Sequence, residues 1–317
     1  MNIVVLDGHT LNPGDISWQE LEDLGQLTIH ARTKEKDIIE RAKDAEIILT
    51  NKTVIKSQHL NQLPKLKYIG VLATGYNVVD TEAAKEKGIL VCNIPAYSTP
   101  SVAQMVFAFL LTITNRVEHY TNKNKQGHWC SASDFCYWDT PLKELTGKQF
   151  GIVGLGNIGM AVANIAMAFG MNVVAHTSKS QEQIGQIKKM ELDELLRTCD
   201  VISLNCPLTP QTKELINAQT LESMKQECIL INTGRGPLVN EKDLSEALNN
   251  GKIYAYGADV LSIEPARADN PLLSAKNVFL TPHIAWATKE SRQRLMTICA
   301  ENIKAYLNNR PQNVVNR

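Results

Sequence analysis

The sequence predicts an α/β protein of two doubly wound, parallel-sheet domains, and three observations carry that prediction. Short apolar segments recur along the chain at intervals that leave room for a helix between them. The segments are apolar on consecutive positions instead of alternate ones, as strands covered by helices on both faces must be. At 317 residues the chain exceeds one ordinary domain and suffices for two, each with its own apolar core.

The first series of strands falls at residues 3–6, 47–50, 68–72 and 89–91, which places one small doubly wound domain at the start of the chain. A second, larger series falls at 150–153, 173–175, 201–204, 229–231, 255–259 and 278–281. Between them, SVAQMVFAFLLTIT (101–114) is apolar on nearly every face and predicts a buried helix packed between domains or subunits. Residues 122–145 are polar, lack periodicity and carry Trp129, Phe135, Tyr137 and Trp138, which reads as a long loop with interface aromatics. A final helix is expected over 288–307, followed by an extended segment at 311–315.

Composition narrows the function classes. Thirty-three Lys and Arg balance 33 Asp and Glu, and no basic stripe stands out, which argues against a nucleic-acid or membrane-surface partner. The apolar run at 3–6 is too short for a signal core, and the longest apolar stretch, 105–111, falls far short of the roughly 20 residues of a membrane span. A cytoplasmic protein is the expectation. Seven cysteines, an odd number with no C-x-x-C pair, suggest neither a disulfide framework nor a metal site, and the thiols read as buried or inert.

The most informative segment is FGIVGLGNIG, in which Gly154, Gly156 and Gly159 form G-x-G-x-x-G between a predicted strand and a predicted helix at 160–169 that stops at Gly170. In this context the first glycine permits the tight turn. The second admits a pyrophosphate to the backbone, and the third lets helix and strand pack, with Asn157 and Ile158 among the cofactor-binding residues of the loop and the phosphates at the positive end of the helix. A carboxylate is expected at the end of the next strand to bind the adenosine ribose. That strand end reads His176, Thr177, Ser178, Lys179. Nothing there repels a 2′-phosphate and several groups donate to one, so the reading leans to NADP(H), with NAD(H) or dual use left open.

Six separated motifs extend the reading to the whole chain: VLATGYNVVD (71–80), NIPAYSTPSVAQ (93–104), GIVGLGNIG (151–159), NTGRGPLV (232–239), GADVLSIEP (257–265) and TPHIAWAT (281–288). In this order they resemble the D-2-hydroxyacid dehydrogenase family. The TPHIAWAT form, with Trp286 after the histidine, and the SVAQ form are most similar to its glycerate dehydrogenase, or hydroxypyruvate reductase, branch. The resemblance implies a Rossmann cofactor domain at 99–285 inserted into a flavodoxin-like substrate domain at 1–98 and 286–317, with the active site in the cleft. It also implies a homodimer formed through 101–140.

Reducing a small 2-keto acid requires a cation for the carboxylate, a hydride donor and an acid for the carbonyl oxygen. By resemblance, Arg235 clamps the carboxylate, His283 supplies the proton and also borders the cofactor, and Glu264 holds the imidazole and favours its charged form. Arg235 sits between Gly234 and Gly236, which reads as a flexible turn. The amides of Ala73, Thr74 and Gly75 would cradle the substrate carboxylate, and Asn51 would face the same cleft. Thr233, Gly234 and Asp259 would lie by the nicotinamide, with Asp259 accepting from its carboxamide. Cys206, Pro207 and Thr212 would line the adenosine side, with His176 by its ribose. The remaining histidines (His9, His30, His59, His119, His128) stand in no motif and read as solvated. The reaction implied is hydroxypyruvate to D-glycerate. Glyoxylate or 3-phosphoglycerate chemistry is the alternative within the family, and a dinucleotide-sensing, corepressor-like binding protein is the alternative outside enzymes.

Overall fold

In the computed structural model, which describes residues 1–317, the runs of Ile, Val and Leu become short parallel strands. Their contacts divide the chain into two units, Met1–Ser98 with Trp286–Arg317, and Thr99–Ala285.

The first unit holds β1 (Asn2–Val5), β2 (Gln26–Ile29), β3 (Ile47–Thr50), β4 (Tyr68–Val71) and β5 (Leu90–Cys92). They pair in the order β2-β1-β3-β4-β5, all parallel, which is the flavodoxin-like arrangement. Every residue of β3 and β4 is buried. Successive side chains point to opposite faces, so Ile48 and Ile69 join one core while Ile47 and Tyr68 join the other. The sequence reading missed β2. It is an edge strand with three of its four residues exposed, so nothing requires a continuous apolar run there.

The helix Lys289–Leu307 completes this unit, capped by the Thr288 side chain accepting from the Ser291 amide. It is anchored by Arg292, which grips both carboxylate oxygens of Asp15 at 2.6 Å and also donates to the Leu11 carbonyl. The extended tail then seals the open edge of β5: Val315 donates to the Val91 carbonyl and Val91 to the Asn316 side chain.

The second unit holds β6 (Gln149–Val153), β7 (Asn172–His176), β8 (Lys188–Lys189), β9 (Val201–Leu204), β10 (Ile229–Asn232), β11 (Ala255–Ala258) and β12 (Val278–Leu280). Their order is β12-β11-β10-β9-β6-β7-β8, all parallel. This is the Rossmann order with one strand, β12, added beyond the sixth, and the direction of winding reverses between β6 and β9. In such sheets ligands gather outside the carboxyl ends of the strands at that reversal. The two-residue β8 is the second strand missed, again at an edge and exposed.

The apolar segment expected at 101–114 forms the helix Thr99–Asn115. Its Val106, Phe109, Leu110 and Ile113 are spent within its own unit, where it packs on β10, β11 and the helix Asn157–Ala168. The approach is tight at Gly257, where a Cβ would stand 2.8 Å from that of Phe109.

Three expectations need correction. Residues 122–145 are not all loop, because the helix Val117–Lys125 covers the first of them. That helix, VEHYTNKNK, has no apolar stripe to read. It is held by side chains one turn apart: His119 and Lys123 bind Asp139, while Asn124 accepts from the Tyr137 hydroxyl. His59 is not solvated. It is buried, its Nδ1 accepts from the Lys56 amide, and desolvation lowers its pKa from the ordinary 6.5. Finally, Cys130 and Cys136 are exposed thiols, in contrast to the buried Cys92, Cys199, Cys228 and Cys299. No helix is long and apolar enough to cross a membrane.

Candidate active site

At the end of β6 each glycine of the loop has its own steric reason. Gly154 has φ +93°, and a Cβ there would lie 2.6 Å from the Cys206 Cα, because the β6 and β9 loops touch at the sheet's reversal point. A Cβ on Gly159 would lie 2.2 Å from the Gly154 carbonyl oxygen, so helix and strand approach through it. At Gly156 nothing stands within 4 Å of the Cβ position, which leaves open space over the backbone. Gly156 also caps the helix Asn157–Ala168 without a side chain. The first turn therefore presents the amides of Asn157, Ile158 and Gly159 unsatisfied, an arrangement that attracts a phosphate.

The neighbouring strand ends fit a dinucleotide as well. After β7, the His176 carbonyl accepts from Gly154, and its ring Nδ1 lies 3.4 Å from the Met190 carbonyl. Thr177 accepts from the Lys179 amide and Ser178 is exposed. Lys189 joins this corner by donating to the Lys179 carbonyl, a contact no motif announced. After β9, Thr212 donates to the Pro207 carbonyl and accepts from Thr209, so its hydroxyl shapes the loop that carries Cys206 and Pro207. Burial pushes the Cys206 thiol above its ordinary value. Two buried polar atoms here have no partner, Asn205 Oδ1 and Thr233 Oγ1. Asn205 was not anticipated. Unpaired groups at the carboxyl ends of β9 and β10, beside open space at Gly156, suit the polar parts of a bound dinucleotide.

A pair of one imidazole and one carboxylate lies further along the same edge. His283 follows β12, and its Nδ1 stands 2.6 Å from Glu264 Oε2. The other carboxylate oxygen of Glu264 accepts from the Leu261 amide, which fixes the acid in its loop after β11. A carboxylate accepts only, so Nδ1 carries the hydrogen of this bond. His283 adopts the left-handed backbone, φ +56°, uncommon outside glycine although histidine is among the residues that enter it more readily.

That conformation is held by Asp259, 1% exposed at the end of β11. Its carboxylate accepts from the Thr281 hydroxyl at 2.5 Å and from the Ile284 and Ala285 amides at 2.8 Å each. Three donors on both sides of the histidine thus converge on one buried carboxylate, a role that the sequence reading did not assign to Asp259.

Arg235 follows β10, exposed, with Nη1 donating to the Gly234 carbonyl. Its loop is pinned by the buried Asn232, which donates to the Arg235 carbonyl and accepts from the Gly234 amide. The flanking glycines are not there for flexibility, since neither has positive φ. A Cβ on Gly236 would fall 2.0 Å from the Leu261 carbonyl carbon. Close packing of the Arg235 loop on the loop that carries Glu264 is what demands glycine at position 236. Because β10, β11 and β12 are adjacent, arginine, carboxylate and imidazole share one edge of one sheet.

In the first unit, the β3 and β4 ends carry Asn51 and the Ala73 to Gly75 turn. The amides of Ala73, Thr74 and Gly75 have no acceptor within the chain, as an anion nest requires. Asn51 is buried, and its Nδ2 donates to the Leu72 carbonyl at 2.6 Å.

A dinucleotide cradle that shares its sheet edge with an imidazole and carboxylate pair serves hydride transfer coupled to proton transfer, which is the work of nicotinamide-dependent dehydrogenases. The chain belongs to the D-isomer specific 2-hydroxyacid dehydrogenase family: the family model of the NAD binding domain matches residues 107–285, more than half of the sequence. It is 49% identical to a hydroxypyruvate reductase of Blautia hydrogenotrophica over the full length of both chains. It is 40% identical to a glycerate dehydrogenase of Methylorubrum extorquens over 88% of each. Among solved structures, the acyclic imino acid reductase Bsp5 in complex with NADPH and D-Arg matches with a TM-score of 0.86 and 31% identity, over 99% of this chain and 100% of that one.

Proposed function

We propose that this dehydrogenase reduces hydroxypyruvate to D-glycerate, with NADPH as the preferred donor, and that Arg235, Glu264 and His283 carry the reaction. The observation that carries the proposal is the 2.6 Å contact between His283 and Glu264 on the edge that also holds the dinucleotide loop. When bound, the nicotinamide supplies the hydride that arrives at C2 of the keto acid. Arg235 pairs with the substrate carboxylate through its planar fork of donors and draws charge toward the carbonyl oxygen. His283 gives that oxygen its proton from Nε2, because Nδ1 is committed to Glu264. Glu264 holds the imidazole ring through Nδ1. One keto acid, one hydride and one proton yield one hydroxy acid, and the reverse reaction returns the proton to His283.

Asn51, Ala73, Thr74 and Gly75 are the proposed substrate contacts of the first unit. Thr233, Gly234 and Asp259 are the proposed neighbours of the nicotinamide, Asp259 with whatever acceptor capacity its three protein donors leave. His176, Cys206, Pro207 and Thr212 are assigned to the adenosine side. NADPH is favoured because residues 176–179 hold no carboxylate and offer Thr177, Ser178 and Lys179 to a 2′-phosphate. The similarity to two enzymes named for hydroxypyruvate and glycerate supports the substrate assignment.

A kinetic panel of hydroxypyruvate, glyoxylate, pyruvate and phosphohydroxypyruvate, each with NADH and NADPH, tests substrate and cofactor together. The highest kcat/KM is expected for hydroxypyruvate with NADPH. A clear preference for NADH overturns the cofactor assignment, and failure of every keto acid to oxidise either cofactor favours a dinucleotide-sensing binding protein.

We further propose a homodimer formed through residues 101–140. The segment after the helix Val117–Lys125 displays Trp129, Phe135 and Trp138 at 54%, 89% and 67% exposure, more aromatic surface than a lone protein profitably leaves in water. Light scattering should give twice the 35.2 kDa of the chain, and Trp138→Lys should shift that mass toward the monomer. A monomeric unsubstituted protein would refute the assignment.

A further inference from the structure

We propose that Asn51 selects substrates that carry a hydroxyl beside the keto acid, and that Asp7 is the positioning residue that holds Asn51 in place. The inference rests on the assignment of Asn51 and the Ala73 to Gly75 turn to substrate binding. It adds the chemistry that this corner recognises.

Asp7 lies two residues past the end of β1 and is 8% exposed. Its Oδ1 accepts from the Asn51 amide at 2.8 Å, and its Oδ2 accepts from Lys52 and Thr53 at 2.6 Å each. One carboxylate therefore takes three consecutive amides and locks the loop that follows β3. These two strands meet at the reversal point of the sheet, where ligands of such folds gather. Here the reversal point is occupied by the protein's own carboxylate, and an anionic ligand is directed to the next loop along.

Asn51 itself is 3% exposed. Its Nδ2 donates to the Leu72 carbonyl, and a carbonyl accepts only, so the orientation of the amide is settled. Oδ1 is then a buried acceptor with no donor in the protein. Leu72 immediately precedes Ala73, Thr74 and Gly75, whose amides lack acceptors. The side chain that carries the unsatisfied acceptor is thus bonded to the residue just before a row of unsatisfied donors, each costly to leave unpaired.

The ligand that satisfies both is an anion bearing a small O–H donor. Hydroxypyruvate has that hydroxyl. Pyruvate replaces it with hydrogen, and glyoxylate lacks the carbon that would bear it. A phosphate ester would turn acceptor oxygens toward another acceptor. A site built around a hydrogen bond rejects the analogue that lacks the donor, because its own buried group is then left unpaired.

The test is the ratio of kcat/KM for hydroxypyruvate to that for pyruvate, in the unsubstituted enzyme and in Asn51→Leu and Asn51→Ala. Ki values for D-glycerate and D-lactate report the same discrimination without turnover. The unsubstituted enzyme should favour hydroxypyruvate and D-glycerate, and both variants should lower each preference roughly tenfold. Melting temperature and reduced-cofactor affinity identify a variant that has failed to fold, in which case the other variant decides. Preferences that survive both substitutions overturn the inference alone, and mean that Oδ1 is satisfied by water or not at all. An unsubstituted enzyme that turns over no keto acid overturns the underlying assignment and this inference with it.

Discussion

Replacing His283 should lower kcat for keto-acid reduction roughly 10²- to 10⁴-fold, the usual contribution of a positioned general acid, with little change in the affinity for reduced cofactor. The choice of replacement matters, because the residue has φ +56°. Alanine removes the acid but is strained in the left-handed region, whereas asparagine tolerates it and carries no titratable group. His283→Asn therefore isolates the chemistry, and His283→Ala adds a backbone cost. If both variants lose turnover alike, the lost proton is the cause. The measurement is single-turnover reduction with cofactor binding followed separately by fluorescence, and near-normal turnover in His283→Asn would falsify the acid assignment.

Arg235→Ala should be the second large effect, and it should look different. A carboxylate clamp acts in both the ground state and the transition state, so KM should rise as kcat falls, and kcat/KM should drop by roughly 10³ or more. Arg235→Lys should recover only part of the loss, since an ammonium cannot reproduce the paired donors of a guanidinium. Stability should hold, because the side chain is exposed and its one internal bond reaches the adjacent Gly234 carbonyl. An unchanged KM together with a lowered melting temperature would mean that Arg235 supports its loop and not the substrate.

How much of this was legible in the sequence depended on how local each feature is. The buried strands announce themselves because β3 and β4 are covered on both faces and must be apolar throughout. Edge strands carry no such obligation, which is why Gln26–Ile29 and Lys188–Lys189 passed unseen. The glycine loop is largely local: its turn, open space and helix-to-strand approach fall within six residues, although Gly154 also packs on the distant Cys206. Gly236 shows the limit of that reasoning. A glycine beside an arginine suggests a flexible turn, while the actual cause is the backbone at Leu261, 25 positions away in the chain.

The two aspartates that organise the strand ends were harder still. Asp7 has its partners 44 to 46 residues away and Asp259 has its partners 22 to 26 away, separations at which spacing predicts nothing. The one available signal was an acidic residue at the end of an apolar strand in both VVLD and YGAD. Such a position cannot stay ionised next to the core without donors. The partners themselves required coordinates.

The closure of β5 by the last residues of the chain bears on how the protein is made. The strands and helices of the second unit are continuous in sequence, and all of them have been synthesised before Trp286 is added. The first unit begins earlier yet finishes last: its sheet waits for the helix Lys289–Leu307 to cover one face and for Val315 to pair with Val91. The domain whose residues come first is thus completed after the inserted domain already has every residue it needs to fold. Until the final residues arrive, the β5 edge stands open to pairing with other nascent chains.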